Sequence, residues 1–178
     1  MLILTGSPGV GKTTVLARTV SDLRARGVSV GGMFSREVRE GGVREGFEIV
    51  DVASGRRGWL AHVNQKGGPQ VGKYHVNLND LDSVGVQAIN TAVERSDVVV
   101  IDEIGPMELF SAKFKEAARK TLKSGKLVIA VVHWKAQDQL VTEAKSRSDA
   151  EIFTVATENR ETLHEALVEK TITFLKQA

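Results

Sequence analysis

Gly6-Ser7-Pro8-Gly9-Val10-Gly11-Lys12-Thr13 places three glycines, a lysine and two hydroxyls within eight residues. The spacing is G-x-x-x-x-G-K-[ST]. Glycines let a backbone curl so that successive N–H groups point at one anion. A helix starting at Lys12 would add the positive end of its dipole. The chemistry this arrangement suits is triphosphate binding. Lys12 is expected to reach the β and γ phosphates, and the Thr13 hydroxyl to bind Mg²⁺. The expected nucleotide-binding segment is therefore Gly6, Ser7, Pro8, Gly9, Val10, Gly11, Lys12 and Thr13, continued by Thr14.

A second group of reactive side chains lies far along the chain. Asp97-Val98-Val99-Val100-Ile101-Asp102-Glu103 is an apolar strand with two carboxylates at its C-terminal end. In parallel sheets ligands bind at that end. Asp102 is expected to hold Mg²⁺, through water, together with Thr13. Glu103 is placed to orient or deprotonate an attacking water. Lys12 and Glu103 are thus the expected catalytic pair. An acid after a strand can also serve only as a helix cap, so the pattern gains its meaning from the phosphate loop beside it.

These groups need a frame that brings residues 6–13 and 102–103 together. Met1 to Thr5 is a short apolar strand running into Gly6 and reads as core, not as a signal peptide. Lys12 to Arg26 has helical spacing, with Val15, Leu16, Thr19, Val20 and Leu23 on one side. Val28 to Phe34 is the next expected strand. Ser35 to Val63 carries turn signals at Gly41-Gly42 and Ser54-Gly55 and reads as an antiparallel meander. Asn64 to Gly72 is a polar loop, and Lys73 to Val76 one more short strand. Alternation of helix and strand then resumes: helix Val84 to Arg95, strand Val98 to Ile101, helix Leu109 to Lys123, strand Leu127 to Val132, helix Ala136 to Lys145, strand Ile152 to Ala156, helix Arg160 to Lys176. The pattern predicts an α/β fold: a P-loop three-layer sandwich whose mostly parallel sheet has helices on both faces. Residues 1–178 form one expected domain, with 35–76 as a β-rich insert and loop.

Composition narrows the classes. The 178 residues are 42% hydrophobic and 26% charged, with a formal net charge of +2. That charge is too small to argue for nucleic acid, which is not an expected partner. There is no cysteine, which removes disulfides and thiol nucleophiles and suits a reducing, cytoplasmic setting. The longest clean apolar run, Leu127 to Val132, is far short of a bilayer span, so no membrane role is expected. A monomer is expected.

Further strings carry a resemblance. The phosphate loop, Asp102-Glu103-Ile104-Gly105-Pro106-Met107-Glu108-Leu109 and Glu158-Asn159-Arg160 resemble the small nucleoside-triphosphatases first described from thermophiles, also called the cancer-related nucleoside-triphosphatase family. The likeness extends to Glu37-Val38-Arg39-Glu40-Gly41-Gly42 with Gly46-Phe47, to Gly58-Trp59-Leu60-Ala61 and to Gly72-Lys73-Tyr74, and so covers nearly the whole chain. It implies a one-domain P-loop protein similar to RecA-like and nucleotide-kinase folds. It implies slow, Mg²⁺-dependent hydrolysis of several nucleoside triphosphates (ATP, GTP, CTP and UTP) to diphosphate and phosphate. It also implies that Asn159 and Arg160 touch the nucleotide. Asn159 suits a cap of the last helix equally well.

Other residues stay open at this level. Arg36, Arg39, Arg44 or Arg147 could set a cation against the γ phosphate, with Arg147 preferred; each alone reads as a solvated arginine. His133 could face the γ phosphate or the water, or end its strand as a satisfied polar residue. Trp59 and Trp134 read as packing residues, and Tyr74 has no assigned role. His62, His75 and His164 lack metal-ligand spacing. Two further functions share the same loop: a kinase passing the γ phosphate to a small molecule or a polynucleotide, with the 35–72 segment as lid or pocket wall, and a nucleotide-dependent switch or RNA-associated factor.

Overall fold

The computed structural model describes residues 1–177. Among the described residues nine strands form a single sheet in the order β5-β6-β4-β3-β2-β7-β8-β1-β9. The strands are β1 (Leu2–Thr5), β2 (Val30–Glu40), β3 (Val43–Asp51), β4 (Arg57–His62), β5 (Gln70–Val71), β6 (Tyr74–Val76), β7 (Val98–Ile104), β8 (Leu127–Val132) and β9 (Glu151–Thr154). The helices are α1 (Lys12–Ala25), α2 (Leu78–Asp80), α3 (Gln87–Arg95), α4 (Ala112–Lys123), α5 (Gln139–Lys145) and α6 (Leu163–Gln177). β9, β1, β8, β7 and the first half of β2 run parallel. The predicted α/β class and mostly parallel order therefore hold.

Side chains alternate across this sheet with a period of two, and each set meets its own helices. Leu2, Leu4, Val98, Val100, Ile129 and Val131 face α1 and α6, meeting Leu16, Leu23 and Leu167. Ile3, Val99, Ile101, Val128 and Ala130 face the other way, against Ile89, Phe114, Ala118 and Leu140 of α3, α4 and α5. Both clusters are buried, so the central strands are apolar on both faces, as parallel strands under two helical layers must be.

The predicted meander is not a separate appendage. β2 pairs in parallel with β7 over Val30–Met33, then continues as one long strand and pairs antiparallel with β3 over Met33–Glu40. The same eleven-residue strand belongs to both the core and the meander, so β3, β4, β6 and β5 extend the core sheet edgewise. The strand expected over Val28 to Phe34 thus runs on through the polar Ser35-Arg36-Glu37 to Glu40. Beyond the helical layers the strand no longer needs two apolar faces.

Several boundaries shift for local reasons. The helical run expected from Val84 starts earlier, at Leu78, where the Asn77 side chain accepts from the Asp80 N–H at 3.0 Å. A π-helical stretch, Leu81–Val86, joins it to α3. Its Gly85 brings the backbone close to the sheet: a Cβ there would lie 3.1 Å from the Met33 sulfur. α5 begins at Gln139 because Asp138 caps it, accepting from the Leu140 N–H at 2.9 Å. β7 runs on through Asp102 and Glu103 to Ile104, and its register against β8 slips between Ile101 and Ile104. Among the described residues no helix is long and apolar enough to cross a membrane.

Candidate active site

Parallel strands aim their C-terminal ends at one edge of the sheet, and the site lies there. β1 hands the chain to the phosphate loop. Gly6 adopts φ +147°, and a Cβ at that position would sit 2.6 Å from the Val155 carbonyl oxygen, so only glycine fits against the turn after β9. α1 starts at Gly11 with no side-chain cap and no acid in its first turn. Its leading N–H groups are thus left for an external anion. Lys12 is buried, and its Nζ donates to the carbonyls of Ser7 at 3.0 Å and Gly6 at 3.1 Å. The ammonium gathers the loop's carbonyls on one side, which supports the curled course the loop needs for its amides to meet phosphate oxygens.

β7 delivers the carboxylates. Asp102 is 1% exposed, and its Oδ2 is buried without a hydrogen-bond partner. Burial pushes its carboxyl up from 3.8 to about 7; the Thr13 hydroxyl pulls against that shift, Glu103 adds to it and Lys12 opposes it. A buried, unpartnered carboxylate oxygen beside a threonine hydroxyl is a poor resting arrangement and a good hard-cation site. Among the described residues no three His, Asp or Glu side chains gather as a metal cage.

Glu103 is half-buried. Burial raises its carboxyl, while Lys12 and then His133 pull it back down. Its side chain folds over Gly105, where a Cβ would meet the Glu103 Oε1 at 2.6 Å. Gly105 therefore sets where Glu103 rests. His133 follows β8, and its Nδ1 accepts the Lys135 N–H at 3.3 Å. In the neutral ring this leaves the proton on Nε2. Glu108 is a further member that residue chemistry alone did not single out. It is 3% exposed, and burial first, then Glu103, hold its carboxyl well above the usual range. The only sign of it was its place in the Asp102–Leu109 string.

These residues share one cavity of about 530 Å³. The phosphate loop supplies Pro8, Gly9, Gly11, Lys12 and Thr13 to its lining; β7, the turn after it and the residue after β8 supply Asp102, Glu103, Glu108 and His133, here termed the floor; and the meander strands supply Arg36, Glu37, Arg44, Phe47, Leu60 and Val71, here termed the far wall.

A sequence profile of the family described as NTPase matches residues 1–168. The nucleoside-triphosphatase THEP1 of Thermofilum pendens is 48% identical over 162 residues, covering 90% of this chain and 89% of that protein. THEP1 of Methanosarcina acetivorans is 45% identical over 170 residues, covering 95% of each. The chain belongs to this NTPase family. Solved structures agree. The crystal structure of THEP1 from the hyperthermophile Aquifex aeolicus superposes with a TM-score of 0.84 at 28% identity, covering 96% of this chain and 99% of that one. The solution structure of a human cancer-related nucleoside triphosphatase gives 0.80 at 37% identity, covering 94% and 95%.

In this NTPase the remaining expected residues divide. Arg160 lies by the phosphate loop: a Cβ on Gly11 would be 3.6 Å from its Cδ. The Asn159 side chain does not cap α6, which starts at Leu163. It clips the turn after β9 instead, accepting from the Ala156 N–H and donating to the Thr154 carbonyl, both at 2.9 Å. Arg147 is corrected. It grips Asp149 with two hydrogen bonds of 2.8 and 2.9 Å, and Asp149 in turn receives the Met1 ammonium, so Arg147 sits at the N-terminal ends of β1 and β9, away from the phosphate loop. Arg36 and Arg44 are the arginines that reach the cavity. Trp59 packs edge-on against His62, and Trp134 lies at the surface under Lys135. Tyr74 packs edge-on against Phe47 of the far wall.

Proposed function

We propose that this protein hydrolyses nucleoside triphosphates to diphosphate and phosphate with Mg²⁺. The observation that carries the reading is the meeting of three things in one cavity: an uncapped helix N-terminus, the buried Lys12 ammonium and the unpartnered Asp102 oxygen. Each is costly or idle without a triphosphate and a cation.

The chain's own groups divide the work. Amides from Gly9 to Thr13 take the phosphate oxygens, and Lys12 turns from the Ser7 carbonyl to the β and γ phosphates. Thr13 and Asp102 would hold Mg²⁺, which when bound neutralises charge on the β and γ oxygens. Glu103 orients the water and takes its proton as oxygen attacks γ phosphorus and the bond to the leaving diphosphate breaks. His133 offers its Nε2–H to the same region. Arg160 and Asn159 lie on the other side of the loop, where the nucleoside would leave it.

The test is phosphate release from the four triphosphates with and without Mg²⁺. Release from several of them, dependent on Mg²⁺ and reduced roughly 10²–10³-fold in Lys12→Ala, is expected. Release that ignores Lys12→Ala would refute the assignment.

A further inference from the structure

The far half of the cavity has no task in attack by water. A triphosphate and a water molecule are polar, yet Phe47, Leu60 and Val71 of the far wall are apolar, and Pro106 and Met107 join them in the lining. The whole space of about 530 Å³ falls within the range of small-molecule pockets. It opens on the γ side of the loop, because Asp102 and Glu103 line it, whereas Asn159 and Arg160 do not. The nucleoside would leave on the Arg160 side, so it does not fill this chamber.

Charge on the far wall is unbalanced. Arg36 and Arg44 line it with a single carboxylate, Glu37, which pairs with Arg44, while Arg36 pairs with Glu48 outside the lining. Arg44 also stacks over Phe47, 5.6 Å from the ring centroid, and its Nε is buried with no partner. An unspent donor in an electropositive, partly apolar wall suits an anion attached to an apolar body. The floor asks for something different. Glu103 would repel a second phosphate placed at the γ position, whereas a hydroxyl there has a proton to give up.

We propose that this half of the cavity is a second substrate site, for a small hydroxyl compound with an apolar or aromatic body and an anionic group, to which the γ phosphoryl group passes in place of water. The proposal rests on the triphosphate reading above. The acceptor oxygen forms a bond to γ phosphorus, the bond from γ phosphorus to the β–γ bridging oxygen breaks, and the acceptor proton moves to Glu103. The products are a phosphate monoester and a nucleoside diphosphate, with no redox partner required. The anion sits at Arg44 and Arg36, and the body lies along Phe47, Leu60 and Met107.

The experiment uses the full chain, Mg²⁺ and γ-labelled ATP with three probes: 4-(hydroxymethyl)phenyl phosphate, benzyl alcohol and phenyl phosphate. Saturable transfer of label to the first probe is expected. Benzyl alcohol, which lacks the anion, should take at least about tenfold less, and phenyl phosphate should compete without accepting label. Arg44→Gln should lower the ratio of transfer to hydrolysis about tenfold, with Arg44→Lys restoring part of it. Thermal melting checks that both variants fold. Label found only in inorganic phosphate, or a ratio indifferent to the anion and to Arg44, overturns the proposal. Ligand-observed NMR of the first probe without nucleotide reads the site separately: no contact at millimolar probe overturns the acceptor site while leaving hydrolysis standing. Absence of all phosphate release would instead count against the triphosphate reading.

Discussion

The two ends of the sheet use the same residue type in opposite ways. At the N-terminal ends of the strands, Asp97 accepts from the Ser29 N–H at 2.9 Å and the Ser29 hydroxyl at 2.6 Å, and Asp149 is held by Arg147 and the N-terminus. Hydrogen bonds lower both carboxyls below the ordinary range. At the C-terminal ends, Asp102, Glu103 and Glu108 are buried close together and all three are raised, in each case by desolvation first. Satisfied carboxylates pin the strand starts. At the strand ends the unpartnered Asp102 oxygen waits for a cation and a phosphate. A site held in readiness costs the nucleotide-free fold some stability, and the paired end contributes stability instead.

The sharpest break of this contrast is Glu103→Gln, which removes the proton acceptor and keeps the shape. Single-turnover assays should show hydrolysis reduced roughly 10²–10⁴-fold, with nucleotide affinity retained. Turnover near the wild-type rate would remove Glu103 from the mechanism. Next is Asp102→Asn. Catalysis should fall, but the nucleotide-free protein should become more stable at pH about 8 by roughly 1–3 kcal/mol. The sign follows from a raised carboxyl: its contribution to stability is full below the unfolded value and is lost as pH rises through the folded value of about 7. The gain in denaturant melts should therefore shrink toward zero as pH falls to about 4.

Glu108→Gln should behave alike in sign, because its carboxyl is also raised and Gln keeps the shape of the protonated acid. Melting at a series of pH values should show a flatter loss of stability on the alkaline side. The smallest effect belongs to the opposite end. Asp97→Asn should cost about 1 kcal/mol at neutral pH. The sign here is reversed: a lowered carboxyl contributes above its unfolded value near 3.8 and loses that contribution as pH falls through the folded value. Equal pH profiles for Asp97→Asn and Asp102→Asn would dissolve the comparison.

The sequence alone determined the phosphate loop, the Asp102–Glu103 strand end, the α/β order and the two-faced apolar strands. Each is written in local spacing: glycines around a turn, a strand of unbroken apolar residues, helices at period 3.6. Only the tertiary structure decided how the meander serves the site. Ser35, Arg36, Glu37, Arg44 and Phe47 look like ordinary surface strand residues until β2 runs past β7 and, with its antiparallel partner β3, brings them to the cavity. The same holds for Arg147, whose position near a sheet end was legible but not which end. Asp149 and the N-terminus fix that: Arg147 holds Asp149 two residues on, and Asp149 holds Met1, 148 residues away in the chain. Which arginine meets the phosphate side, and which carboxylate goes unpaired, depends on neighbours brought together by the fold, and no local pattern records them.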